Sequence, residues 1–338
     1  MKKIAVLIAL GAMLASPALA DPVEDFYKGK SIRLIIGFDP PGGYDLYGRV
    51  AATYLGNFIP GKPTVVPQNM PGAGSKTAAR FLYTAAPKDG TVIGIVSQQI
   101  AQDTLIEGTV GEMDVTKFGW IGRLTSNIDM GITWANGPIK SIDDIRKRET
   151  VVGGTGFAAS SGMIPRLLNL TAGTKFKIVT GYKGSGDITL AMERGEVEVV
   201  GGTGWASTKV NHPEWITEKK ITILYQLAAE RHRELPDVPT VAELALKPED
   251  QAMLRFIGAS ADVGRYLIAT PGIPAERFAA LRKSFDAMMN DKEFIADMKK
   301  RNVDIDYMSG DKLAERIAGL MKTSPDIVTR AKAALEVK

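Results

Sequence analysis

Residues 31–58, SIRLIIGFDPPGGYDLYGRVAATYLGNF, join an apolar run to a Pro-Pro-Gly-Gly turn and then to a helix-like stretch. The apolar run predicts a buried strand, and the spacing of Leu46, Val50 and Tyr54 predicts one face of a helix. Asp45 is predicted as the N-cap, because its carboxylate oxygen could accept a backbone N–H of the first turn. The stretch therefore predicts a strand, a tight turn and a helix.

The glycine pair in this turn, Gly42 and Gly43, suggests a binding site. The first N–H groups of a helix have no partner inside the helix, and the helix dipole adds positive potential at the same end. An anion such as a carboxylate would be stabilised there. A plain strand-to-helix turn remains the alternative, because glycine-rich turns between a strand and a helix are common.

Residues 1–20 have the pattern of an export signal. Two lysines precede a nearly uninterrupted apolar run, and Ala18, Leu19 and Ala20 form a small-x-small cleavage site before Asp21. A membrane span needs about 20 apolar residues, and this run is shorter. We therefore expect a periplasmic protein whose mature chain begins at Asp21.

Length and composition exclude several classes of protein. The 338 residues suit two lobes rather than one small core. The chain has no cysteine, which excludes disulfides, thiolate metal sites and a cysteine nucleophile. A formal net charge of +4 gives no reason to expect a nucleic-acid partner.

Strand-like and helix-like runs alternate along the whole chain. This alternation is typical of α/β proteins with mostly parallel sheets. Apolar runs that predict strands lie at residues 31–38, 63–68, 91–96, 118–134, 151–152, 176–180, 197–200, 221–227 and 265–269.

Two of these runs predict crossings between two lobes. The run at 118–134 leads out of the first lobe, and the run at 265–269 leads back into it. We therefore predict lobe 1 at residues 21–124 plus 262–338 and lobe 2 at residues 125–261. Each lobe is expected to be a mostly parallel sheet flanked by helices. Two crossings would form a hinge, with glycine-rich loops of both lobes facing one cleft.

The sequence shows no catalytic or metal-binding constellation. Residues 56–62 match most of a phosphate-binding loop, but Pro63 follows where Ser or Thr should hold magnesium. His212 and His232 have no second histidine or carboxylate at metal-ligand spacing, and we predict both as solvated surface residues. A serine nucleophile such as Ser160 has no evident base. We therefore predict no catalytic residue, no metal, no cofactor and a protein that is not an enzyme.

A second glycine-rich segment, residues 154–159, is close to a dinucleotide-binding fingerprint. The next predicted strand carries Lys175 and Lys177 about where an acidic ribose ligand is required. We therefore interpret the segment as another helix start that favours anions.

Short motifs recur in a fixed order along the mature chain. They are Pro41-Gly42-Gly43-Tyr44-Asp45 with Arg49, NMPGAG at 69–74, PKDG at 87–90, GGTG at 153–156, GYKG at 181–184, GEV at 195–197, LPDVPT at 235–240 and ATPGIP at 269–274. With these motifs the chain resembles the periplasmic solute-binding proteins of tripartite tricarboxylate transporters, also called Bug-type receptors. The resemblance covers nearly the whole mature chain.

The resemblance implies a Venus-flytrap fold that holds a small organic carboxylate, a di- or tricarboxylate or an aromatic acid, between two lobes. The partners it implies are that ligand and the permease subunits of the membrane transporter, with a monomeric receptor and no nucleic acid. The ligand-binding residues that it implies are Gly42, Gly43, Tyr44, Asp45, Gly72, Ala73 and Gly74 in the first lobe and Thr155, Gly156, Ala158, Ser160, Ser161, Lys183 and Asp187 in the second.

The sequence departs from the common family pattern at three positions. Many relatives have glycine where Ser75 stands, proline where Asp187 stands and an acidic residue where Ala191 stands. Phe38 and Tyr44 bracket the first loop and could stack on a flat ligand, with core packing as the alternative. Two other functions stay open: an exported hydrolase or lyase on the same shell, and a ligand-sensing partner of a membrane sensor.

Overall fold

The computed structural model describes residues 21–40, 42–109, 111–156, 159–182 and 184–336. The predicted export signal lies outside these residues, as do the predicted ligand contacts Ala158 and Lys183. The described residues form two β-sheets with helices packed against them. The predicted α/β class is therefore confirmed.

The strands of the described residues follow the predicted apolar runs closely. They are β1 (Ser31–Ile36), β2 (Thr64–Asn69), β3 (Val92–Ile95), β4 (Gly119–Thr125), β5 (Asp129–Trp134), β6 (Thr150–Gly154), β7 (Phe176–Thr180), β8 (Val199–Gly204), β9 (Ile221–Leu227), β10 (Arg265–Ala269) and β11 (Met308–Ser309). The long apolar run at 118–134 becomes two strands, β4 and β5, which belong to different sheets.

The helices were predicted less completely than the strands. They are α1 (Pro22–Tyr27), α2 (Gly43–Tyr54), α3 (Lys76–Thr84), α4 (Ile100–Glu107), α5 (Ile142–Lys147), α6 (Ser160–Ala172), α7 (Ser185–Glu193), α8 (Trp205–Asn211), α9 (Pro213–Thr217), α10 (Val241–Leu244), α11 (Pro248–Val263), α12 (Ala275–Met289), α13 (Lys292–Lys300), α14 (Gly310–Leu320) and α15 (Pro325–Glu336). The 16-residue helix α11 was not predicted.

Both sheets are mixed, although most strands of each run in one direction. In the first sheet, ordered β11-β4-β10-β3-β1-β2, β1 is parallel to β2 and β3, whereas β10 is antiparallel to β3 and β4. In the second sheet, ordered β7-β6-β8-β5-β9, β6 is parallel to β7 and β8, whereas β5 is antiparallel to β8 and β9. In the first sheet both β4 and β10 are antiparallel to each of their neighbours, and in the second sheet β5 is.

The chain passes between the sheets twice. Residues 126–128 connect β4 of the first sheet to β5 of the second, and α11 leads from the second sheet back to β10 of the first. Both connections lie close together, because Asn127 N donates to the Ala261 carbonyl of α11 (3.2 Å). The lobe bounds themselves, 21–124 plus 262–338 and 125–261, stay a prediction.

Two glycines of β8 let a helix lie directly on the second sheet. The predicted apolar run ends at residue 200, whereas β8 continues through residues 201–204. A Cβ atom at Gly202 would lie 2.7 Å from the backbone N of Ser161, and one at Gly201 would collide with the Ser161 carbonyl. These glycines therefore place the first turn of α6 against the sheet.

One apolar cluster extends through both sheets. It contains Ile35 and Val92 of the first sheet, Val152 and Val199 of the second, and Ala331 of the terminal helix α15. α15 contacts α4, α6 and α11. Burial of apolar surface, the main stabilising contribution to folding, is therefore shared between the two sheets.

Candidate functional site

The helix after the first glycine turn begins at Gly43, and Gly42 is its N-cap. Gly42 has extended backbone angles and makes no side-chain capping bond. The predicted N-cap at Asp45 is therefore wrong, because Asp45 is the third residue of α2. Both glycines are exposed at the start of the helix, where the dipole favours an anion.

The Asp45 carboxylate accepts hydrogen bonds that hold the first loop in place. Its side chain is buried (6% exposed), Oδ2 accepts from Arg49 Nε at 2.9 Å, and Oδ1 accepts from Asn69 Nδ2 at 2.8 Å. Asn69 Nδ2 also donates to the Phe38 carbonyl at 2.8 Å. The hydrogen bond from Arg49 is the main reason that the pKa of Asp45 is lowered. Because both carboxylate oxygens are used inside the protein, we infer that Asp45 positions the loop.

Phe38 and Tyr44 stack on each other rather than standing apart. Their ring centroids are 4.3 Å apart and the rings are tilted by 18°. The Tyr44 hydroxyl accepts from Gln98 N at 3.0 Å, which ties the start of α2 to the loop after β3. Burial raises the pKa of Tyr44. Both residues are half-buried, and Tyr44 packs against the apolar core of the first sheet.

Arg265, the first residue of β10, lies directly over the glycine turn. A Cβ atom at Gly43 would be 2.5 Å from Arg265 Nη2. The Arg265 side chain lies over two tyrosine rings, with Cζ 5.5 Å from the Tyr44 centroid and 5.0 Å from the Tyr47 centroid. Although Arg265 is only 9% exposed, its Nε has no hydrogen-bond partner in the structure.

In the sequence, the only indication that Arg265 is unusual is its position as a charged residue at the start of an otherwise apolar strand. The structure shows what it does. A buried guanidinium and the N-terminal end of α2 converge at Gly43, and both favour negative charge. A ligand carboxylate at this point could accept two parallel hydrogen bonds from the guanidinium.

The second predicted loop, Gly72 to Ser75, has an unusual backbone. Four successive residues have positive φ: Gly72 (131°), Ala73 (48°), Gly74 (63°) and Ser75 (76°). Ala73 and Ser75 are not glycine, and positive φ is strained for them; such strain concentrates at functional sites. The positive φ of Ser75 also explains why many relatives have glycine there.

Ser75 fixes the second loop to the first sheet. It directly precedes α3, and its hydroxyl makes no capping hydrogen bond to the helix. Instead, Ser75 Oγ accepts from Ser97 N at 3.1 Å, and it occupies the space that a Cβ at Gly37 would need. The first three residues of the loop are exposed beside it. The second loop therefore presents backbone groups on a fixed base.

In the second sheet, the start of α6 is held by the predicted residues Thr155 and Ser161. Ser161 Oγ accepts from Thr155 N at 3.0 Å and lies 3.2 Å from Thr155 Oγ1. Ser161 is buried, so its hydroxyl stabilises the loop before α6. A Cβ at Gly156 would meet open space. Asp187 is exposed in the first turn of α7.

Asp129, the first residue of β5, is a charged group that sequence reasoning missed. It lies opposite Gly204 of β8 and Leu227 of β9 and is half-buried. Burial raises its pKa, while a hydrogen bond from the Ser160 side chain and the charge of Arg265 act in the opposite sense. The charge of Arg265 in the first sheet thus acts on a carboxyl group of the second.

The two histidines have different surroundings. His232 was predicted on the surface, but its side chain is only 8% exposed, with Nε2 3.3 Å from Ser126 Oγ and 3.7 Å from Asp306 Oδ2. His212 stacks on Trp215 with centroids 3.9 Å apart and remains partly exposed. Across the described ranges, no group of three or more histidine and acidic side chains is placed to hold a metal ion.

The helices among the described residues do not include a membrane span. None of them combines the necessary length with sufficient apolar content.

Comparison with known protein families gives a decisive match. The family model described as the tripartite tricarboxylate transporter family receptor, TctC, matches residues 49–332. The chain belongs to this receptor family. The resemblance based on the ordered motifs is thereby confirmed, and the chain is a periplasmic solute receptor of the TctC and Bug type.

Individual relatives are distant. The BugT protein of Bordetella pertussis is 26% identical over 257 residues, which cover 70% of this chain and 73% of BugT. A TctC solute-binding protein from Polaromonas, solved without ligand, has a TM-score of 0.66 at 20% identity, covering 91% of this chain and 98% of that one. A protein of R. palustris solved with adipate has a TM-score of 0.61 at 18% identity, covering 90% and 98%. At these identities the two structures show that the fold is shared.

Proposed function

We propose that this TctC-family receptor binds a small organic carboxylate between its two sheets and delivers it to the permease subunits of a tripartite transporter. The two lobes would be residues 21–124 plus 262–338 and residues 125–261. The observation that carries the proposal is the buried guanidinium of Arg265, whose Nε has no partner, at the start of α2. Membership of the receptor family and the adipate bound to a relative support it.

The carboxylate would bind at the first glycine turn. Arg265 supplies a delocalised positive charge, and the first N–H groups of α2 supply donors on the same side. Hydrogen bonds to a charged group contribute about 1.5–3 kcal/mol each. Two of them therefore account for an affinity gain of roughly a hundredfold or more.

We propose that the receptor binds its carboxylate ligand and does not convert it to a product. Asp45 is hydrogen-bonded to Arg49 and Asn69 inside the protein. Arg265, by contrast, keeps an unpartnered Nε that is proposed to serve the ligand. We propose that neither is used as an acid or a base. A hydrolase or lyase of the same shape would convert the carboxylate that it binds.

The first experiment is a thermal-shift screen of the mature chain against mono-, di- and tricarboxylates, aromatic acids and amino acids. A ligand at 100 times its dissociation constant adds about 2.7 kcal/mol of stability, enough for a clear shift. The variant Arg265→Met should lose the shift, whereas Arg80→Met, which removes a surface arginine paired with Glu112, should keep it.

Two results would contradict the proposal. One is a carboxylate that binds Arg265→Met as tightly as the wild type. The other is conversion of the bound acid to a product, detected by NMR of the incubated mixture, which would favour an enzyme. Growth tests with the permease genes deleted would check delivery: uptake of the acid should stop although the receptor still binds it.

A further inference from the structure

A cavity of about 220 Å³ lies between helices that belong to the two different sheets. α4, which follows β3 of the first sheet, and α6, which follows β6 of the second, line it together with α11 and α15. A water molecule takes up about 30 Å³ in the liquid, so the cavity has room for a small organic molecule. The apolar part of its wall is formed by Ile106, Met163, Leu227, Ile257 and Leu335.

Arg166 of α6 brings a positive charge to this cavity without a counter-ion. Its Nη2 donates to the Leu335 carbonyl in the last turn of α15 at 3.0 Å, whereas its Nε is buried and has no hydrogen-bond partner. In the described part of the chain, Arg166 takes part in no ion pair within 4.0 Å. A guanidinium has five N–H donors, so Arg166 keeps donors that an anion in the cavity could use.

Two other polar side chains of the wall are already used inside the protein. Gln102 Nε2 and Ser260 Oγ both donate to the Ile257 carbonyl, each at 3.2 Å. They join α4 to α11 and shape the cavity. Arg166 is therefore the group with which we expect a charged ligand to pair.

One acidic side chain, Asp103 of α4, also lines the cavity. Its Oδ2 lies 3.7 Å from Lys76 Nζ of α3, so its charge is balanced from outside the cavity. A ligand with a second carboxylate would nevertheless meet a like charge at Asp103. The wall thus favours a ligand with one negative charge, held at Arg166, and with an apolar body.

We propose that this cavity is a second ligand site, which binds a small monocarboxylate with a short aliphatic chain. The carboxylate accepts hydrogen bonds from Arg166, and the aliphatic chain packs against the apolar wall. Among the described residues that line the cavity, neither Arg265 nor a glycine of the first turn is present, so the site is distinct from the one proposed above. The bound acid contacts helices of both sheets and stabilises their present arrangement.

The test uses the variant Arg265→Met, in which the first proposed site is disabled, so that binding reports on the cavity. Mature protein is unfolded, dialysed and refolded to remove any ligand that copurifies. It is then titrated with acetate, butyrate, valerate and the dicarboxylate glutarate by isothermal titration calorimetry. We expect butyrate or valerate to bind at one site, about tenfold or more tightly than glutarate, because the second carboxylate meets Asp103.

Two further substitutions in the Arg265→Met protein assign the binding to the cavity. Arg166→Met removes the positive charge, and Ile106→Trp fills the space while leaving Arg166 in place. Each should weaken the monocarboxylate about tenfold or more. Arg194→Met removes an exposed arginine next to α7 and should change nothing. Circular dichroism and melting curves check folding, and if Arg166→Met does not fold, Ile106→Trp decides.

The outcomes separate this inference from the proposed function. If no monocarboxylate binds Arg265→Met, or if Arg166→Met and Ile106→Trp leave the affinity unchanged, the cavity is not a ligand site and the inference is overturned. The carboxylate receptor still stands in that case if the wild type binds an acid that Arg265→Met does not bind. Conversely, a monocarboxylate that depends on Arg166 supports the second site even if no acid depends on Arg265.

Discussion

Arg265 and Arg123 are both buried arginines, and they differ in what surrounds the guanidinium. Arg123 donates from Nε to the Asp306 carbonyl (2.9 Å), from Nη2 to Asp306 Oδ2 (2.8 Å) and from Nη1 to the Asp262 carbonyl. Arg265 has aromatic rings beside it and no partner for Nε. A buried charge without partners costs free energy, which is the physical reason for proposing that a ligand pairs with Arg265.

This difference predicts that replacing each arginine by methionine changes the free energy of unfolding in opposite directions. In the unbound protein, Arg265→Met should raise the free energy of unfolding by about 1 kcal/mol, because it removes an unpaired buried charge. Arg123→Met should lower it by about 3 kcal/mol, because the buried Asp306 carboxylate then loses its nearest positive charge and keeps only the longer contacts with His232 and Arg233. Urea denaturation measures both. Equal destabilisation by the two would identify Arg265 as a structural arginine and contradict its role as the ligand anchor.

Single residues were predictable where their role is local. The glycine turn before α2 is an example, because its neighbouring residues alone predict a strand, a turn and a helix. Arg265 was missed because distant strands bring it to the site. The prediction that Asp45 is the N-cap was wrong for the same reason. Asn69, 24 residues away in the sequence, donates a hydrogen bond to the Asp45 carboxylate.

At the scale of elements, the start of α2 lies against Arg265 of β10. A small side chain at Gly43 should push the Arg265 guanidinium away from the helix start. Gly43→Ala places a methyl group 2.5 Å from Arg265 Nη2, so the guanidinium must move away from the helix start. Alanine is a good helix former, so the fold should remain. We expect ligand affinity to fall about tenfold with Gly43→Ala, as one charge-assisted hydrogen bond is lost, and further with Gly43→Val.

Gly42→Ala is the matched control for this change. A Cβ at Gly42 meets its nearest atom, the Asp39 carbonyl oxygen, at 3.6 Å, and the extended backbone there suits any residue. Arg265 would stay in place, so calorimetry should show a smaller loss than for Gly43→Ala. If both variants bind like the wild type, the turn is only structural.

Elements were predictable where one hydrophobic pattern defines them, as in β7, β9 and β10. The direction of strands was not, because antiparallel β10 and β5 have the same apolar pattern as their parallel neighbours and take their direction from the topology. The continuation of β8 through its glycines was not predicted, because the helix that requires them, α6, lies about 40 residues earlier in the sequence.

At the scale of the whole molecule, a cluster of charges joins the two sheets beside the site. Lys209 of α8 donates to Glu234 Oε2 at 2.7 Å and to Asp304 Oδ1 at 2.8 Å. Two hydrogen bonds hold Asp304 against the first sheet. The Tyr47 hydroxyl of α2 donates to the Asp304 carbonyl, and the Thr125 hydroxyl of β4 donates to Asp304 Oδ2. Lys209 therefore holds two acidic side chains together across the structure.

We predict that Lys209→Met shifts the unbound protein toward a more open arrangement. Glu234 and Asp304 would then face each other without the positive charge between them. A loss of about 1 kcal/mol, typical for a partly exposed pair, changes an opening equilibrium about fivefold. Solution scattering should show a larger radius of gyration for Lys209→Met and no change for Lys220→Met, whose pair with Glu218 is on the surface.

An unchanged radius of gyration in Lys209→Met would contradict this role of the cluster. Saturating ligand should reduce the radius of gyration of the wild type if the two lobes close around it. The same scattering curve with and without ligand would count against two moving lobes.

The strand order of the first sheet also determines when the binding site can form as the chain emerges. β10 lies between β3 and β4, so these two strands stay unconnected until residues 265–269 have left the ribosome or crossed a membrane. Contacts between distant segments form late and slow folding. A chain with this order remains incompletely folded while most of it is threaded through a translocation channel. Arg265 arrives with β10, so the ability to hold an anion is among the last properties the protein acquires.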